Sequence, residues 1–255
     1  MQLNYKVFGQ GDPIIILHGM FGTLDNWQTI AKQLAKNFMV FIVDLRNHGR
    51  SPHSDELSYS IMAEDLHAFM EANWIYHAHI IGHSMGGKVA MQFALEHDDM
   101  VDKLIIVDIA PVHYKGNHQT IFKALFSLDL DSLSSRKEAD VLLQSYIPEF
   151  SIRQFLLKNL YIDKESNKYK WKMNLPVIHE AYQNILSHTM PEADFTGETL
   201  FIRGGKSDYI KENNFLDHQK YFPEAQLSTV DDAGHWVHAE QPKAFLETLL
   251  NFLND

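Results

Sequence analysis

The feature that most constrains this chain is the passage Ile80-Ile81-Gly82-His83-Ser84-Met85-Gly86-Gly87-Lys88-Val89-Ala90. It closes an apolar run, turns through glycines on both sides of a serine, and leaves with Ala90, Met91, Phe93 and Ala94 at helical spacing. A serine on so sharp a strand-to-helix turn must adopt a strained backbone, and only glycine-sized neighbours let the two arms of the turn pass each other. Its hydroxyl then stands clear of the sheet. The helix that follows points its first N–H groups and its partial positive charge at the same spot. Gly82-His83-Ser84-Met85-Gly86 thus has the residues and the context of a nucleophile elbow.

The rest of the chain supplies a sheet to carry that turn. Ile14-Ile15-Ile16-Leu17, Phe38 to Val43 and Leu104 to Val107 are continuous apolar runs rich in β-branched residues, the pattern of strands buried on both faces of a parallel sheet. Leu3 to Phe8 alternates apolar and polar side chains, as a half-exposed antiparallel edge strand does. Helical patterns run from Asn26 to Ala35 and from Tyr59 to Trp74. Strands alternating with helices place the chain in the α/β class, with a mostly parallel sheet flanked by helices and a binding crevice along the C-terminal edge of its strands.

From Val112 to Thr196 the character changes. Short helical patterns at Gln119 to Leu128, Arg136 to Tyr146, Ile152 to Leu160 and Val177 to Ser187 follow one another with no strand run between them. The sheet resumes at Thr199 to Arg203 and Gln226 to Val230, and a last helical pattern spans Pro242 to Leu253. The expectation is a core of residues 1–111 and 197–255 with a small helical cap, 112–196, inserted between two late strands and covering the crevice. The cap aromatics Phe122, Phe126, Tyr146, Phe150, Phe155, Tyr161 and Trp171 either line an acyl pocket or form the small core of the cap.

Composition excludes several chemistries. With 33 acidic against 22 basic side chains the formal charge is −11, which disfavours nucleic acid as a partner. There is no cysteine, hence no thiolate nucleophile or thiolate metal site. His113, His118, His179 and His188 have no metal-ligand spacing, so no metal and no cofactor is expected. The start, Met1 to Lys6, does not read as a signal peptide, and no apolar run approaches the about 18 residues of a membrane span. A cytoplasmic protein without a membrane partner is the expectation.

A serine hydroxyl is a weak nucleophile near neutrality, so Ser84 needs a base. Among 15 histidines, His235 follows Gly234 after the last strand, which fits the chain order nucleophile, acid, histidine. His238, about one helical turn further on, reads as surface or structural. The base needs a carboxylate to orient it. Asp208 stands in the loop after the next-to-last strand and Asp108 after the strand before it; position alone favours Asp208. The loop His18-Gly19-Met20-Phe21-Gly22 can aim one N–H at a substrate oxygen, and the residue after the nucleophile a second. These oxyanion donors are assigned to Met20 and Met85, with Phe21 as the alternative to Met20, and His18 to packing and hydrogen bonding in the loop. Asp44 and Arg46 are expected to pair and fix a structural loop under the site.

Taken together, His18 to Trp27, Arg46 to Ser51, Gly82 to Lys88, Val107 to Pro111 and Gly234 to Glu240 resemble the YbfF-type esterases. These are α/β-hydrolases in a branch that also holds a mitochondrial abhydrolase-domain protein. The likeness spans almost the whole chain and is weakest across the cap. It implies the α/β-hydrolase fold, a small helical cap, and esterase or acyl-thioesterase activity on a small-molecule acyl ester or acyl-CoA-like substrate. It also implies that the acid follows the earlier strand, which points to Asp108. The late loop in that family reads Gly-Gly-Asn-Ser and then a non-acidic residue, whereas this chain has Lys206 and Asp208 there, so Asp208 stays the alternative. Two rivals share the fold. A lyase or synthase of the menaquinone-synthesis type would need basic side chains such as Arg46, Lys88 and Arg203 around an anionic substrate. A binding protein that has lost turnover is disfavoured because Ser84 and His235 are both present.

Overall fold

The computed structural model describes residues 1–187, 190–211 and 219–254; His188 lies outside them. In chain order the described strands are β1 (Tyr5–Phe8), β2 (Pro13–Leu17), β3 (Met39–Val43), β4 (Ala78–His83), β5 (Val101–Val107), β6 (Leu160–Ile162), β7 (Tyr169–Trp171), β8 (Thr199–Gly204) and β9 (Ala225–Val230). Seven of them form one sheet in the order β1-β3-β2-β4-β5-β8-β9. All neighbours run parallel except β1, which lies antiparallel on β3 with Tyr5 opposite Val43.

The described helices are α1 (Gln28–Leu34), α2 (Tyr59–Ala72), α3 (Met85–Glu96), α4 (Gln119–Phe126), α5 (Arg136–Leu143), α6 (Phe150–Leu157), α7 (Leu175–Glu180), α8 (Tyr182–Leu186), α9 (Val237–Glu240) and α10 (Pro242–Asn254). Successive side chains of a strand leave by opposite faces, so an unbroken apolar run feeds two cores at once. Ile14, Ile16, Val40 and Ile42 pack with Ile30 and Leu34 of α1 and Phe245 and Leu249 of α10. Ile15, Leu17, Phe41 and Val43 pack with Leu66 and Phe69 of α2 and Val89 and Phe93 of α3. Among the described residues no helix is long and apolar enough to cross a membrane.

Between β5 and β8 the chain leaves the sheet for α4 to α8, and also for a two-stranded hairpin, β6 with β7, that the sequence reading does not anticipate. Three residues a side is too short to display an alternating pattern, and the helical reading through Leu160 runs over the end of α6 at Leu157. The hairpin is closed by Asp163, whose carboxylate accepts from Ser166 N–H at 3.1 Å and Lys170 Nζ at 2.9 Å. The cap aromatics also divide differently from either expectation. Phe122 is buried, but Phe126, Tyr146, Phe150 and Tyr161 are exposed, Phe150 by 63%.

The expected pairing of Asp44 with Arg46 is not what forms. Arg46 turns to Asp65 on α2 as a two-pronged ion pair, Nε to Oδ2 at 2.5 Å and Nη2 to Oδ1 at 2.9 Å, and the N-terminal ammonium adds a contact to Asp65 at 2.8 Å. Asp44 is instead taken by loop donors: Leu24 N–H at 2.8 Å, Arg50 N–H at 2.9 Å and Asn4 Nδ2 at 2.7 Å. A short carboxylate under a tight loop is surrounded by amides that must be paired, and these reach it before a guanidinium can. Replacing Asp65 with Ala leaves a buried guanidinium without its partner, and the expected loss is about 3–5 kcal/mol in urea unfolding.

Three buried histidines make stability depend on pH. His18, His48 and His238 are all buried, and burial holds His18 down to about 4 and His48 and His238 to about 3. His238 is therefore a core residue rather than a surface one; its ring stacks on Trp27 at 3.9 Å. In the unfolded chain each ring takes up a proton near pH 6.5, so below that pH the unfolded state binds more protons than the fold. Stability is complete above about pH 6.5 and falls as pH drops toward 4, with a slope of up to about 1.4 kcal/mol per pH unit for each ring. Urea midpoints measured from neutral pH downward are expected to fall with a slope of more than one proton. A flat profile would mean that these rings accept protons without unfolding.

Candidate active site

The elbow is as sharp as its sequence requires. Ser84, between β4 and α3, has φ 53° and ψ −119°, a conformation non-glycine residues rarely adopt. Its N–H is tied to Val107 O at 3.1 Å across the sheet, and its carbonyl accepts from Gly87 and Lys88 N–H at 2.9 and 3.1 Å, so the strain is over-determined by bonds on both sides. The glycines are needed for room. A Cβ on Gly82 would lie 2.3 Å from Gly86 O, and one on Gly86 would lie 2.5 Å from the carbonyl oxygens of Leu17 and His18.

Asp108 directly follows β5, with φ 52°, and is fully buried. Its Oδ1 accepts from Gly204 N–H at 3.0 Å, and its Oδ2 from the Ser207 hydroxyl and from His235 Nδ1 at 2.7 Å. Both expected aspartates thus come to one region, but only Asp108 is bonded to His235. Asp208 is exposed along the cavity; the last residue of β8, Gly204, and Ser207 of the loop that holds Asp208 are donors to Asp108.

His235 is gripped from several sides. His83, the second residue of the elbow, donates from Nε2 to the His235 carbonyl at 2.9 Å; burial drives the His83 pKa well below its ordinary value, so that ring is neutral. Glu240 accepts from Gly234 N–H at 2.7 Å and Trp236 N–H at 3.1 Å, one on each side of His235. Tyr209 stacks on the imidazole at 4.0 Å, and its carbonyl accepts from Tyr114, whose hydroxyl in turn accepts Ala110 N–H, both at 2.8 Å. Sequence reasoning does not find Ser207, Tyr209, Glu240 or Tyr114. Only Glu240, close behind His235 in the chain, carries a local hint of its role.

Gly22 N–H bonds Gly19 O at 2.9 Å, closing a turn with Met20 and Phe21 at its centre and Phe21 left-handed at φ 60°. The Phe21 carbonyl is taken by Asn159 Nδ2 of the cap at 2.7 Å, a contact across 138 residues that no local signal announces. His18 serves the loop as expected: Nε2 accepts from Leu45 N–H at 3.1 Å, which leaves the proton on Nδ1, 2.8 Å from Gly19 O.

Ser84, His235, Met20, Phe21 and Met85 all border one cavity of about 1200 Å³ between core and cap. Ile109, Ile121, Phe155 and Leu186 give it apolar walls; Phe155 is the only one of the seven cap aromatics that lines it. Of the three basic residues a synthase would use, Lys88 borders the cavity, whereas Arg46 is bound to Asp65 and Arg203 bonds Thr229 Oγ1 at 2.8 Å.

Comparison with known proteins agrees with this architecture. The family model for the alpha/beta hydrolase fold matches residues 12–242. Esterase YbfF of Escherichia coli is 38% identical over 245 residues, covering 95% of this chain and 93% of that protein. The sn-1-specific diacylglycerol lipase ABHD11 of Danio rerio is 36% identical over 264 residues, covering 99% and 83%. Among solved structures, a marine microorganism esterase superposes with a TM-score of 0.96 at 44% identity, covering 98% of this chain and 99% of its own.

The elbow's packing is directly testable. Gly82→Ala sets a methyl group against backbone that cannot give way and is expected to cost about 3 kcal/mol or more in urea unfolding. Gly205→Ala, whose Cβ would meet nothing nearer than 3.4 Å, serves as the control and is expected to change stability by less than about 1 kcal/mol.

Proposed function

This chain belongs to the α/β-hydrolase fold family, beside relatives named as esterases and lipases, and from that premise we propose that it cleaves carboxylic esters or acyl thioesters through Ser84, His235 and Asp108 by way of an acyl-enzyme. The observation that carries the reading is the 2.7 Å bond between His235 Nδ1 and a fully buried Asp108, beside a cavity that the strained Ser84 also borders. With Nδ1–H donated to Asp108, the other nitrogen, Nε2, is the basic one. As Ser84 Oγ bonds to the substrate carbonyl carbon, its proton passes to Nε2 and the carbonyl π pair moves onto oxygen. The Met85 amide at the start of α3 and the Met20 amide of the neighbouring turn hold that oxyanion, with the adjacent Phe21 amide as the other donor the turn offers. Collapse expels the alcohol or thiol, which takes the proton from Nε2. Water then gives a proton to the same nitrogen as it attacks the acyl-serine, and collapse breaks the acyl–Oγ bond: Ser84 Oγ takes that proton back from Nε2 and the acid leaves. The chain's own groups and water carry every proton and electron pair, so the sequence of steps calls for no metal or organic cofactor.

The test is turnover of p-nitrophenyl esters and acyl-CoA thioesters of graded chain length by the wild type and by Ser84→Ala, Asp108→Asn and Asp208→Asn. Ser84→Ala is expected to lower kcat by about 10⁴-fold or more, and Asp108→Asn by about 10⁴-fold, because an amide in place of the carboxylate favours the wrong imidazole tautomer. Asp208→Asn is expected to stay within about threefold of the wild type. A larger loss in Asp208→Asn than in Asp108→Asn would reassign the acid, and full activity in Ser84→Ala would overturn the serine mechanism.

A further inference from the structure

Lys88 stands one turn along α3 from Ser84, about 6 Å of helix rise, with its side chain buried and bordering the same cavity. Its ammonium carries three N–H donors. One is recorded, to Val112 O at 2.9 Å, and the charge sits beside the rings of Tyr114 and Tyr59, 5.1 and 5.8 Å from their centroids. Among the described residues no carboxylate lies within ion-pair distance of it. Lys115, Lys158 and Lys211 also border the cavity but are exposed to water, so Lys88 is a different case: a buried cation, two donors to spare, and no counter-charge. Such a group is costly in an apolar wall unless something pairs with it.

We propose that Lys88 is the subsite for a carboxylate carried by the acyl part of the substrate, so that half-esters or half-thioesters of short dicarboxylic acids are the preferred class. The inference rests on the hydrolytic reading above and deepens it. Charge balance favours carboxylate over phosphate: one ammonium with two available N–H groups matches one negative charge on two oxygens, whereas a phosphate dianion asks for a second cation at the same depth. The apolar neighbours accept the methylene chain, and because Lys88 and Ser84 border one cavity the preferred chain length reports their separation.

The experiment compares monomethyl esters of the diacids from malonic to adipic with methyl esters of monocarboxylic acids of the same length, followed in a pH-stat at about pH 7. The wild type is expected to favour the half-ester by about tenfold or more in kcat/KM at one chain length. In Lys88→Met that preference is expected to fall by about tenfold, to near none, mainly through KM, and in Lys88→Arg to be partly kept. Calorimetry of the wild type with the free diacids against their diamides reads the subsite without any variant; tighter binding of the diacid supports it and equal binding overturns it. A wild type that opens neutral esters but shows no preference at any length, with no shift in Lys88→Met, overturns this inference and leaves the hydrolytic reading standing. A wild type that binds diacids but opens no ester overturns the hydrolytic reading and leaves the subsite. Dependence on Lys88 for acyl-CoA but not for neutral N-acetylcysteamine thioesters would place the anion on the leaving group and overturn the assignment to the acyl chain.

Discussion

The structure depends above all on one buried carboxylate. Asp108 is wholly removed from water, a position that costs several kcal/mol unless the charge is paired and its oxygens hydrogen-bonded. Two segments far from it in the chain meet that demand: the end of β8 and the loop directly after it, through Gly204 N–H and the Ser207 hydroxyl, and the loop after β9 through His235. Losing one of these donors leaves part of that cost uncompensated. The charge thereby draws the ends of β5 and β8 and the His235 loop into register, and the geometry proposed for catalysis comes from the same bonds that stabilise the sheet edge. Such dual use explains why the residues around His235 are held by so many independent contacts.

The fold was largely legible because its signals are local. Continuous runs such as Ile14 to Leu17 state by themselves that both faces of a strand are buried, and the glycines around Ser84 state that two pieces of backbone pass closely. Ser84, His235 and both candidate acids follow from motif and order. What the chain order does not contain is direction. Asp208 and Asp108 both reach the region in sequence terms, and which of them bonds His235 depends on where β5 ends relative to Ser207 and His235. Arg46 chooses Asp65 over Asp44, two residues away, because Asp65 comes from the facing side of α2 while Asp44 is already surrounded by amides. The cap was the least legible part: its hairpin strands are three residues long, and half-exposed aromatics such as Tyr146 and Tyr161 give the same letter pattern as core residues.

The cap is more than a cover. Asn159 bonds the Phe21 carbonyl, Asn174 N–H bonds Asn47 O at 2.8 Å, and the Tyr59 hydroxyl on α2 bonds Ile185 O at 3.0 Å. Each contact joins a cap residue to an element of the core that borders or supports the cavity. The bond from Asn159 matters most for the site, since it fixes the peptide that follows Phe21 and hence the plane of the Gly19–Gly22 turn. Asn159 is fully buried, and its Nδ2 also donates to Leu156 O at 3.3 Å, so the loss of Phe21 O would leave one of its two N–H groups unpaired at a cost of about 1–3 kcal/mol. The bond thus adds a tie from the cap to a turn that its own Gly22 N–H to Gly19 O bond already closes.

Electrostatics finish the argument. The protein is strongly acidic overall, yet the two histidine rings packed around His235 carry no charge. His83 and His238 pack near its ring or behind it, at 4.8 Å for His83, and burial keeps both neutral through the range in which an ordinary histidine would titrate. Were either to become charged, its repulsion would oppose a proton arriving on His235. His235 thus lies between neutral histidine rings and the carboxylate of Asp108, to which its Nδ1 is bonded. His83 is neutral for the same reason that it is useful: a ring buried tightly enough to stay unprotonated is also rigid enough to hold the His235 carbonyl, so one act of packing sets both the position and the electrostatic surroundings of the proposed base.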